Sequence, residues 1–209
     1  RPDDSGGHQH PVADVAAGIL GLTMHPAPGS VMLLGDDCGL NLRTCCDFPL
    51  HTIHAVRNDA ALTEFAKENV WSALRTPPSD DGRVVMEHRP LSLALRRSPH
   101  DRFDVIIAGT ANPFRTDGLW QLTEEFYRAA AGRLSADGVF AQRFQHHDVG
   151  AEPLVTLLST ASAAFDRVAA VYIVPGEVVL LATNSQTPLL DAGFLNRLQK
   201  QHVRRELGR

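Results

Sequence analysis

The sequence has few cysteines, no long apolar run and no strong excess of charge, and each absence excludes a class of protein. Three cysteines in 209 residues, two of them adjacent (Cys45 and Cys46), argue against a disulfide framework and for a reducing compartment. No window approaches about 18 consecutive apolar residues, so we expect no membrane-spanning helix. The net charge of −4 gives no electrostatic footprint for nucleic acid. We therefore expect a cytoplasmic chain that does not bind nucleic acid.

The two ends of the sequence indicate what to expect of the rest of the protein. Residues 1–12 have no basic start followed by an apolar run, so we do not expect them to be a signal peptide. Because the sequence begins with Arg1 rather than Met, we expect it to be a piece of a longer protein. We interpret the basic stretch 197–209 as a solvated helix face rather than as a site for an anionic partner.

Apolar runs alternate regularly with helical patterns, and 44% of the residues are hydrophobic, which suits one α/β domain. Strands are predicted at 31–35, 51–56, 83–88, 103–108 and 139–144, with "SADG" as a turn before the last of these, and then a hairpin around "PGE". Helices are predicted at 12–24, 40–48, 59–74, 123–134 and 152–165. Asp59 and Thr123 are the predicted N-caps, and Leu62, Phe65, Ala66 and Val70 should share an apolar face. The alternation predicts a Rossmann-like α/β fold, a mostly parallel doubly wound sheet with a C-terminal antiparallel hairpin, as in class I methyltransferases.

Four segments carry a family resemblance: "HPAPGSVMLLG", "DRFDVIIAGTANPF", "LTEEFYRAAAGRLSADGVFAQ" and "VPGEVVLLATN". Together they resemble the spermidine synthase (polyamine aminopropyltransferase) family, and most of all its bacterial branch, in which such a domain is fused to a membrane region. The third segment is the most specific. The resemblance divides the chain into an N-terminal tail and lead-in helix (1–24), a spermidine-synthase-like Rossmann-type domain (25–185) and a C-terminal helical extension (186–209).

The resemblance implies a cofactor, a reaction and partners. It implies binding of decarboxylated S-adenosylmethionine, transfer of its aminopropyl group to an amine, and a homodimer. It also implies a membrane-embedded region elsewhere in the parent chain. Spermidine synthases proper carry an N-terminal β-hairpin domain that helps cover the site. Only about 30 residues precede the first predicted strand here, so we expect that element to be absent or reduced.

The first two strand ends hold the residues that would contact the nucleoside of such a cofactor. The first turn keeps Gly35 and Gly39, but Asp37 replaces a family glycine. The glycines either preserve an altered nucleoside pocket or serve only the backbone of the turn. Arg57 stands where the resemblance places an acid that accepts hydrogen bonds from both ribose hydroxyls, and a guanidinium has only donors. Asp59 is predicted to cap the next helix, with contact to a ribose as the alternative.

The third and fourth strand ends also depart from the family pattern. Glu87 or His88 stands where the family holds the adenine amino group, and Glu87 either accepts from that amine or is a solvated charge. Gly109 replaces the acid that deprotonates the attacking amine, and Asn112 stands at the position of a second acid. A cationic polyamine must be attracted by a carboxylate and then lose a proton to one, and glycine can do neither.

Three other residues are weak candidates for the missing acid or base. Asp117 lies in the loop after the fourth strand and could turn inward. His146 and Asp148, in "QHHD" after the fifth strand, could act as a base or as metal ligands, with solvated loop residues as the alternative. The cysteines and histidines between 38 and 54 match no zinc spacing, so we expect no metal site.

Two hypotheses remain open at this point. The first is a pseudoenzyme, a structural or ligand-sensing domain of a larger protein, because three functional positions carry Asp37, Arg57 and Gly109. The second is a transferase that uses S-adenosylmethionine or its decarboxylated form and transfers a methyl or aminopropyl group to an altered acceptor. Methyl transfer can proceed by positioning alone, which makes the glycine less damaging there. A further alternative is that Arg57 selects a 2′-phosphate, as basic residues do in NADP sites.

Overall fold

Strands and helices alternate through the part of the chain that the computed structural model describes, which is residues 11–35, 39–71, 77–96, 102–111, 119–145, 152–200 and 203. The strands are β1 (Ser30–Leu34), β2 (Thr52–Arg57), β3 (Val84–His88), β4 (Phe103–Ala111), β5 (Leu134–Gln145), β6 (Arg167–Val174) and β7 (Glu177–Thr183). The α-helices are α1 (Pro11–Met24), α2 (Leu40–Cys46), α3 (Ala60–Asn69), α4 (Leu91–Arg96), α5 (Glu124–Ala131), α6 (Glu152–Ser162) and α7 (Phe194–Leu198). Two short 3-10 helices span Pro78–Asp80 and Leu119–Leu122.

The strands form one mixed sheet in the order β3-β2-β1-β4-β5-β7-β6. β1 pairs in parallel with β2 and β4, and β4 pairs in parallel with β5. β7 lies antiparallel between β5 and β6, and the turn that joins β6 to β7 contains Gly176 at a φ of 80°. The prediction of a mostly parallel sheet with a C-terminal antiparallel hairpin is confirmed.

Helices cover both faces of the sheet, as the continuous apolar runs of its central strands require. On one face α1 and α2 pack on residues such as Leu33 and Ile107. A Cβ at Gly21 of α1 would lie 3.0 Å from the Cβ of Ala141, so this helix sits close against the sheet. On the other face α4, α5 and α6 pack on residues such as Met32 and Ile106. In the described residues, no helix combines the length and the apolar character needed to cross a membrane.

Two strands are longer than predicted. β5 begins at Leu134, so the "SADG" segment lies within the strand, as an irregularity between Leu134, which pairs with Phe103, and Val139, which pairs with Val105. Leu134 pairs with Phe103, and the Ser135 hydroxyl donates a hydrogen bond of 3.0 Å to Asp104, which ties this segment to β4. β4 continues beyond residue 108 to Ala111, with a register shift against β5 between Ala108 and Ala111.

Both predicted N-caps are confirmed. The Asp59 carboxylate accepts a hydrogen bond of 2.7 Å from the Ala61 N–H, and the Thr123 hydroxyl accepts one of 3.3 Å from the Phe126 N–H. Capping of this kind satisfies backbone donors that the first helical turn leaves open.

The predicted apolar face of α3 is correct only in part. Ala66 is buried and Val70, just after the helix, is half-buried against the same core, whereas Leu62 and Phe65 are 44% and 60% exposed. Thr63 is buried as well, and its hydroxyl lies 3.0 Å from Nε2 of His88 on β3. The helix also ends at Asn69 rather than at residue 74.

Candidate functional site

The carboxyl ends of β1, β2 and β4 lie side by side in the sheet and bring Gly35, Arg57 and Gly109 to one edge. In parallel α/β sheets this edge is where ligands bind. Gly35 follows β1 with a φ of 72°, and its N–H donates a hydrogen bond of 3.0 Å to the Val56 carbonyl of β2. Gly39 precedes α2 with a φ of 75°. These left-handed conformations favour glycine, so both predicted glycines have a backbone role.

Gly109 lies inside β4, where the strand shifts its register against β5, and not in a loop after the strand. A Cβ at this position would lie 2.2 Å from the carbonyl oxygen of Gly35 and 2.8 Å from its carbonyl carbon. Both obstructing atoms belong to the backbone, so side-chain rotation cannot relieve the contact. The position at which the family resemblance places the catalytic acid therefore has no room for a side chain.

Arg57 is the last residue of β2 and is only 3% exposed. Its guanidinium carbon lies 5.6 Å from the ring centroid of Trp71, which is a cation–π contact. Trp71 is also buried, and its Nε1 would lie 2.4 Å from a Cβ at Gly39. The indole therefore joins the end of β2 to the start of α2. The place predicted for a ribose-binding acid holds a buried cation that is packed on an aromatic ring.

The remaining acids of the predicted nucleoside site have other partners. Asp59 caps α3. Glu87 lies 3.4 Å from Nε2 of His54 and forms an ion pair with Arg89. His88 contacts α3 through the hydrogen bond to Thr63 that was described above. The structure thus uses these side chains to connect β2, β3 and α3.

A buried amide that the sequence did not reveal lies next to Gly35. Gln121, in the second 3-10 helix, is 6% exposed, and its Nε2 would lie 3.9 Å from a Cβ at Gly35. Its Oε1 is buried and has no hydrogen-bond partner among the described residues. A buried acceptor without a donor is rare, and a ligand donor at this point would satisfy it.

Hydrogen bonds from β5 and α5 fix the backbone beneath this amide. The Gln142 Nε2 donates a bond of 3.0 Å to the Gln121 carbonyl, and the Tyr127 hydroxyl donates one of 2.7 Å to Gln142. Burial raises the pKa of Tyr127, which keeps the hydroxyl protonated as a donor. The sequence signal for this network is Gln142, a polar residue within an apolar strand.

A buried ion pair fastens the hairpin beside the same edge. Arg143 of β5 donates two hydrogen bonds, both of 2.8 Å, to the Glu177 carboxylate of β7. The Gln145 amide donates a third, also of 2.8 Å, to the same carboxylate. The pair is bidentate and almost fully buried, so it fixes the end of β5 where the segment with His146 and Asp148 begins.

Several predicted site residues lie outside the described residues, namely Asp37, Asn112, Asp117, His146 and Asp148. Within the described ranges no three His, Cys, Asp or Glu side chains converge as a metal centre requires. Cys45 is buried, and burial together with Asp81 raises the pKa of Cys46 to about 12. Cys46 is therefore a protonated thiol at neutral pH.

Comparison with known proteins bears on the fold. No family model matches the sequence, and no curated protein is similar enough in sequence to match. A spermidine synthase solved with the transition-state analogue AdoDATO superposes with a TM-score of 0.75 at 21% identity, over 93% of this chain and 75% of that one. The spermidine synthase of Thermotoga maritima gives 0.71 at 21% identity, over 93% and 74%. Human methyltransferase-like protein 13 in complex with SAH gives 0.67 at 18% identity, over 93% and 90%.

At identities of 21% and 18% the likeness concerns the fold. The strand order and the antiparallel β7 agree with it. The chain has a spermidine synthase-like fold of the class I methyltransferase type.

Proposed function

We propose that this chain does not transfer aminopropyl groups and serves as a structural or ligand-sensing domain of a larger protein. The contact between Gly109 and the Gly35 carbonyl supports this proposal most directly. A polyamine acceptor is a cation that must give up a proton before it attacks, and the family resemblance assigns that proton to an acid at position 109. Here the backbone of the neighbouring turn fills the space that a carboxylate would need.

The residues at the end of β2 do not fit the cofactor that the resemblance implies. A ribose with two free hydroxyls needs an acceptor at this point, and Arg57 offers only donors. The guanidinium is also buried against Trp71. The nearest carboxylate along the chain, Asp59, already accepts from the first turn of α3. We therefore derive no reaction step through decarboxylated S-adenosylmethionine.

One observation favours the second candidate, a transferase that uses S-adenosylmethionine or its decarboxylated form with an altered acceptor. The unsatisfied Oε1 of Gln121 lies beside Gly35, where a donor on a bound ligand would complete its hydrogen bonding. Structures of similar fold were solved with AdoDATO and with SAH. In this second candidate Gln121, rather than a carboxylate on β2, contacts the nucleoside.

An activity assay tests the first proposal. The purified protein is incubated with decarboxylated S-adenosylmethionine and putrescine, and released methylthioadenosine and spermidine are quantified. The Thermotoga maritima spermidine synthase is the positive control. We expect no product above the protein-free blank. Spermidine formation that rises with the protein concentration would refute the proposal.

A calorimetric titration tests the ligand binding that the second candidate requires. The ligands are S-adenosylmethionine, its decarboxylated form and S-adenosylhomocysteine, and the variants are Gln121→Ala and, as a control on α3, Lys67→Gln. Micromolar binding that Gln121→Ala weakens and Lys67→Gln does not would support the nucleoside contact of the second candidate. No heat with any of the three ligands would contradict it.

A further inference from the structure

The segment after β7, residues 185–200, places α7 against the end of α1, and we call it the C-terminal strap. Arg197 of α7 donates a hydrogen bond of 2.6 Å to the Thr23 carbonyl and one of 3.2 Å to the Met24 carbonyl. Both carbonyls belong to the last turn of α1, where they have no partner within the helix. That turn has no basic residue of its own, so Arg197 of the strap supplies the cation that a helix C-terminus favours.

The apolar contacts of the strap are limited. Leu189, Phe194 and Leu198 pack on the core but remain half-buried, and Leu190 and Leu195 are 66% and 67% exposed. α7 has five residues, and a helix of this length is not stable without contacts to the rest of the protein. The bonds from the α7 guanidinium to α1 are therefore an important part of what holds the strap on the domain.

Asp191 orients Arg197 from within the strap. Its carboxylate accepts hydrogen bonds of 2.8 and 3.1 Å from the guanidinium and one of 2.9 Å from the Gly193 N–H. The bonds from Arg197 lower the pKa of Asp191, so this ion pair stays charged on both sides at mildly acidic pH. A response of the strap between about pH 5 and 8 must come from another group, and histidine is the side chain that ordinarily titrates there.

His25, in the segment after α1, lies beside this contact. The residue is 8% exposed and lines a cavity of about 260 Å³ together with two cations of the strap, Arg197 and Lys200. Its Nδ1 accepts a hydrogen bond of 3.2 Å from the Ala27 N–H, which requires the lone pair of a neutral ring. Protonation of Nδ1 would remove this bond and would place a cation beside the Arg197 guanidinium.

Charged groups of β4, β5 and the strap act on His25. Burial has the largest effect and lowers the pKa of the ring, Asp104 and Asp137 raise it, and Arg197 lowers it, with a net lowering. Both acids already accept hydrogen bonds from serine hydroxyls. His51, which is exposed, lines the same cavity. The strap thus disfavours the protonated ring in two ways, through the charge of Arg197 and as part of the wall that keeps water from the ring.

The strap and His25 lie at the opposite edge of the sheet from the candidate functional site. Gly29 and His51, which line the cavity, directly precede β1 and β2, so the cavity faces the amino ends of these parallel strands. A change in the docking of the strap requires neither a nucleoside nor an acceptor at the other edge. Its test is therefore separate from the tests of the proposed function.

We propose that His25 is a pH sensor for the C-terminal strap: the neutral ring permits the docking of Arg197 on α1, and the protonated ring favours release of the strap. In the docked state a proton on Nδ1 removes the bond to Ala27 and brings two cations together in an enclosed place. In the released state water surrounds the ring and the cations separate. Protonation and docking therefore oppose each other, and the effect of one on the other is reciprocal.

The direction of the pH dependence follows from the pKa of His25 in the two states. Burial lowers the pKa in the docked state, whereas a released, solvated ring should have the ordinary value of about 6.5. Docking is therefore at full strength above about pH 6.5 and weakens as the pH falls through the lower pKa of the docked state. A difference of one between the two pKa values corresponds to an about tenfold change in the docking equilibrium.

Hydrogen exchange followed by NMR spectroscopy tests the proposal on the whole protein. The N–H groups of Arg197 and Gln199 bond to carbonyls of α7 and its N-cap, so their protection, corrected for the intrinsic pH dependence of exchange, measures how often the strap opens. We expect this protection to fall at least about fivefold between about pH 7.5 and 5, while amides of β4 keep theirs. The fall should end where the ring protons of His25 titrate. Unchanged protection, or a fall that does not follow the His25 titration, would overturn the proposal.

Three variants identify the sensor. His25→Asn keeps an acceptor for the Ala27 N–H but does not titrate, so the protection of the strap should vary less than about twofold over the same pH interval. His51→Asn is the matched control at the same cavity and should retain the full fall. Arg197→Gln should raise the pKa of His25 toward its ordinary value, because the coupling is reciprocal. A fall that persists in His25→Asn or disappears in His51→Asn would contradict the assignment, as would a pKa of His25 that Arg197→Gln leaves unchanged.

Discussion

Replacing Gly109 by aspartate, the residue that the family resemblance requires there, should destabilise the domain rather than restore an active site. A Cβ at position 109 would lie 2.2 Å from the Gly35 oxygen, 2.8 Å from the Gly35 carbon and 3.3 Å from the Leu34 oxygen. All three atoms belong to the backbone of β1 or its turn. The turn would have to move, and with it the 3.0 Å hydrogen bond from Gly35 to Val56.

The expected change in the free energy of unfolding follows from two opposing effects of a side chain at position 109. A glycine-to-alanine change at a compatible position stabilises a protein by about 0.4–1 kcal/mol, because it restricts the unfolded chain. Overpacking a close-packed interior costs about 1–3 kcal/mol. Since the contact at Gly109 is with rigid backbone, we expect Gly109→Ala to lower the free energy of unfolding by about 2 kcal/mol. Gly109→Asp should lower it further, because it also buries a carboxylate.

Urea unfolding followed by circular dichroism measures this effect, and Gly82→Ala is the matched control. A Cβ at Gly82 meets no atom within 4 Å, so that variant should be as stable as the parent protein or more stable by up to about 1 kcal/mol. The reasoning would be refuted if Gly109→Ala were as stable as Gly82→Ala. A folded Gly109→Asp variant that forms spermidine would refute it more strongly, because the position would then be open to a catalytic acid.

Three further predictions use the same unfolding measurement. Arg57→Glu should destabilise the domain by at least about 2 kcal/mol more than Arg57→Met, because it buries a carboxylate against the negative face of the Trp71 ring; equal stabilities would contradict this. Hydrogen bonds from Arg83 lower the pKa of Asp81 to about 2, so the contribution of Asp81 is present above about pH 4 and is lost as the pH falls through 2. Asp81→Asn should therefore reduce the loss of stability in that interval, and an unchanged pH profile would be inconsistent with the cause. Glu177→Gln should lower the free energy of unfolding by about 3 kcal/mol, since it removes the carboxylate of a buried ion pair, and a change below about 1 kcal/mol would exclude that role.

The sheet was predictable because its signals are local and strong. The continuous apolar runs of β1 and β4 are typical of strands that are buried on both faces, and the alternation with helices implies parallel pairing. The caps Asp59 and Thr123 were equally readable, because a capping side chain acts within its own helical turn. Helices cover both faces of the sheet, as this pattern requires.

The errors came from contacts between segments that are distant in sequence. Of the four apolar residues predicted to share a face of α3, Ala66 and Val70 pack on the core but Leu62 and Phe65 are exposed, while the buried side also holds Thr63, which contacts His88 of β3. The inclusion of "SADG" in β5 depends on the residues on either side of it, since Leu134 pairs with Phe103 and Val139 with Val105 of β4. Helical periodicity and turn composition carry no information about such partners.

The candidate site could also be predicted only in part. Which residues stand at the strand ends was readable from the order of the strands, so Gly35, Arg57 and Gly109 were placed at one edge. The contacts that those residues make could not be predicted from the sequence. Trp71 comes from the segment after α3, and its contact with Gly39 depends on how that segment folds back.

These contacts support the proposal of a non-catalytic role. At position 109 the backbone of the Gly35 turn occupies the space that a side chain would need, and at position 57 the guanidinium is packed on Trp71, which in turn requires glycine at position 39. Each of these residues is therefore held by a partner that would have to change with it. Reversal at one position would meet a steric or electrostatic penalty at the next, which is why we favour a non-catalytic role over a dormant aminopropyltransferase.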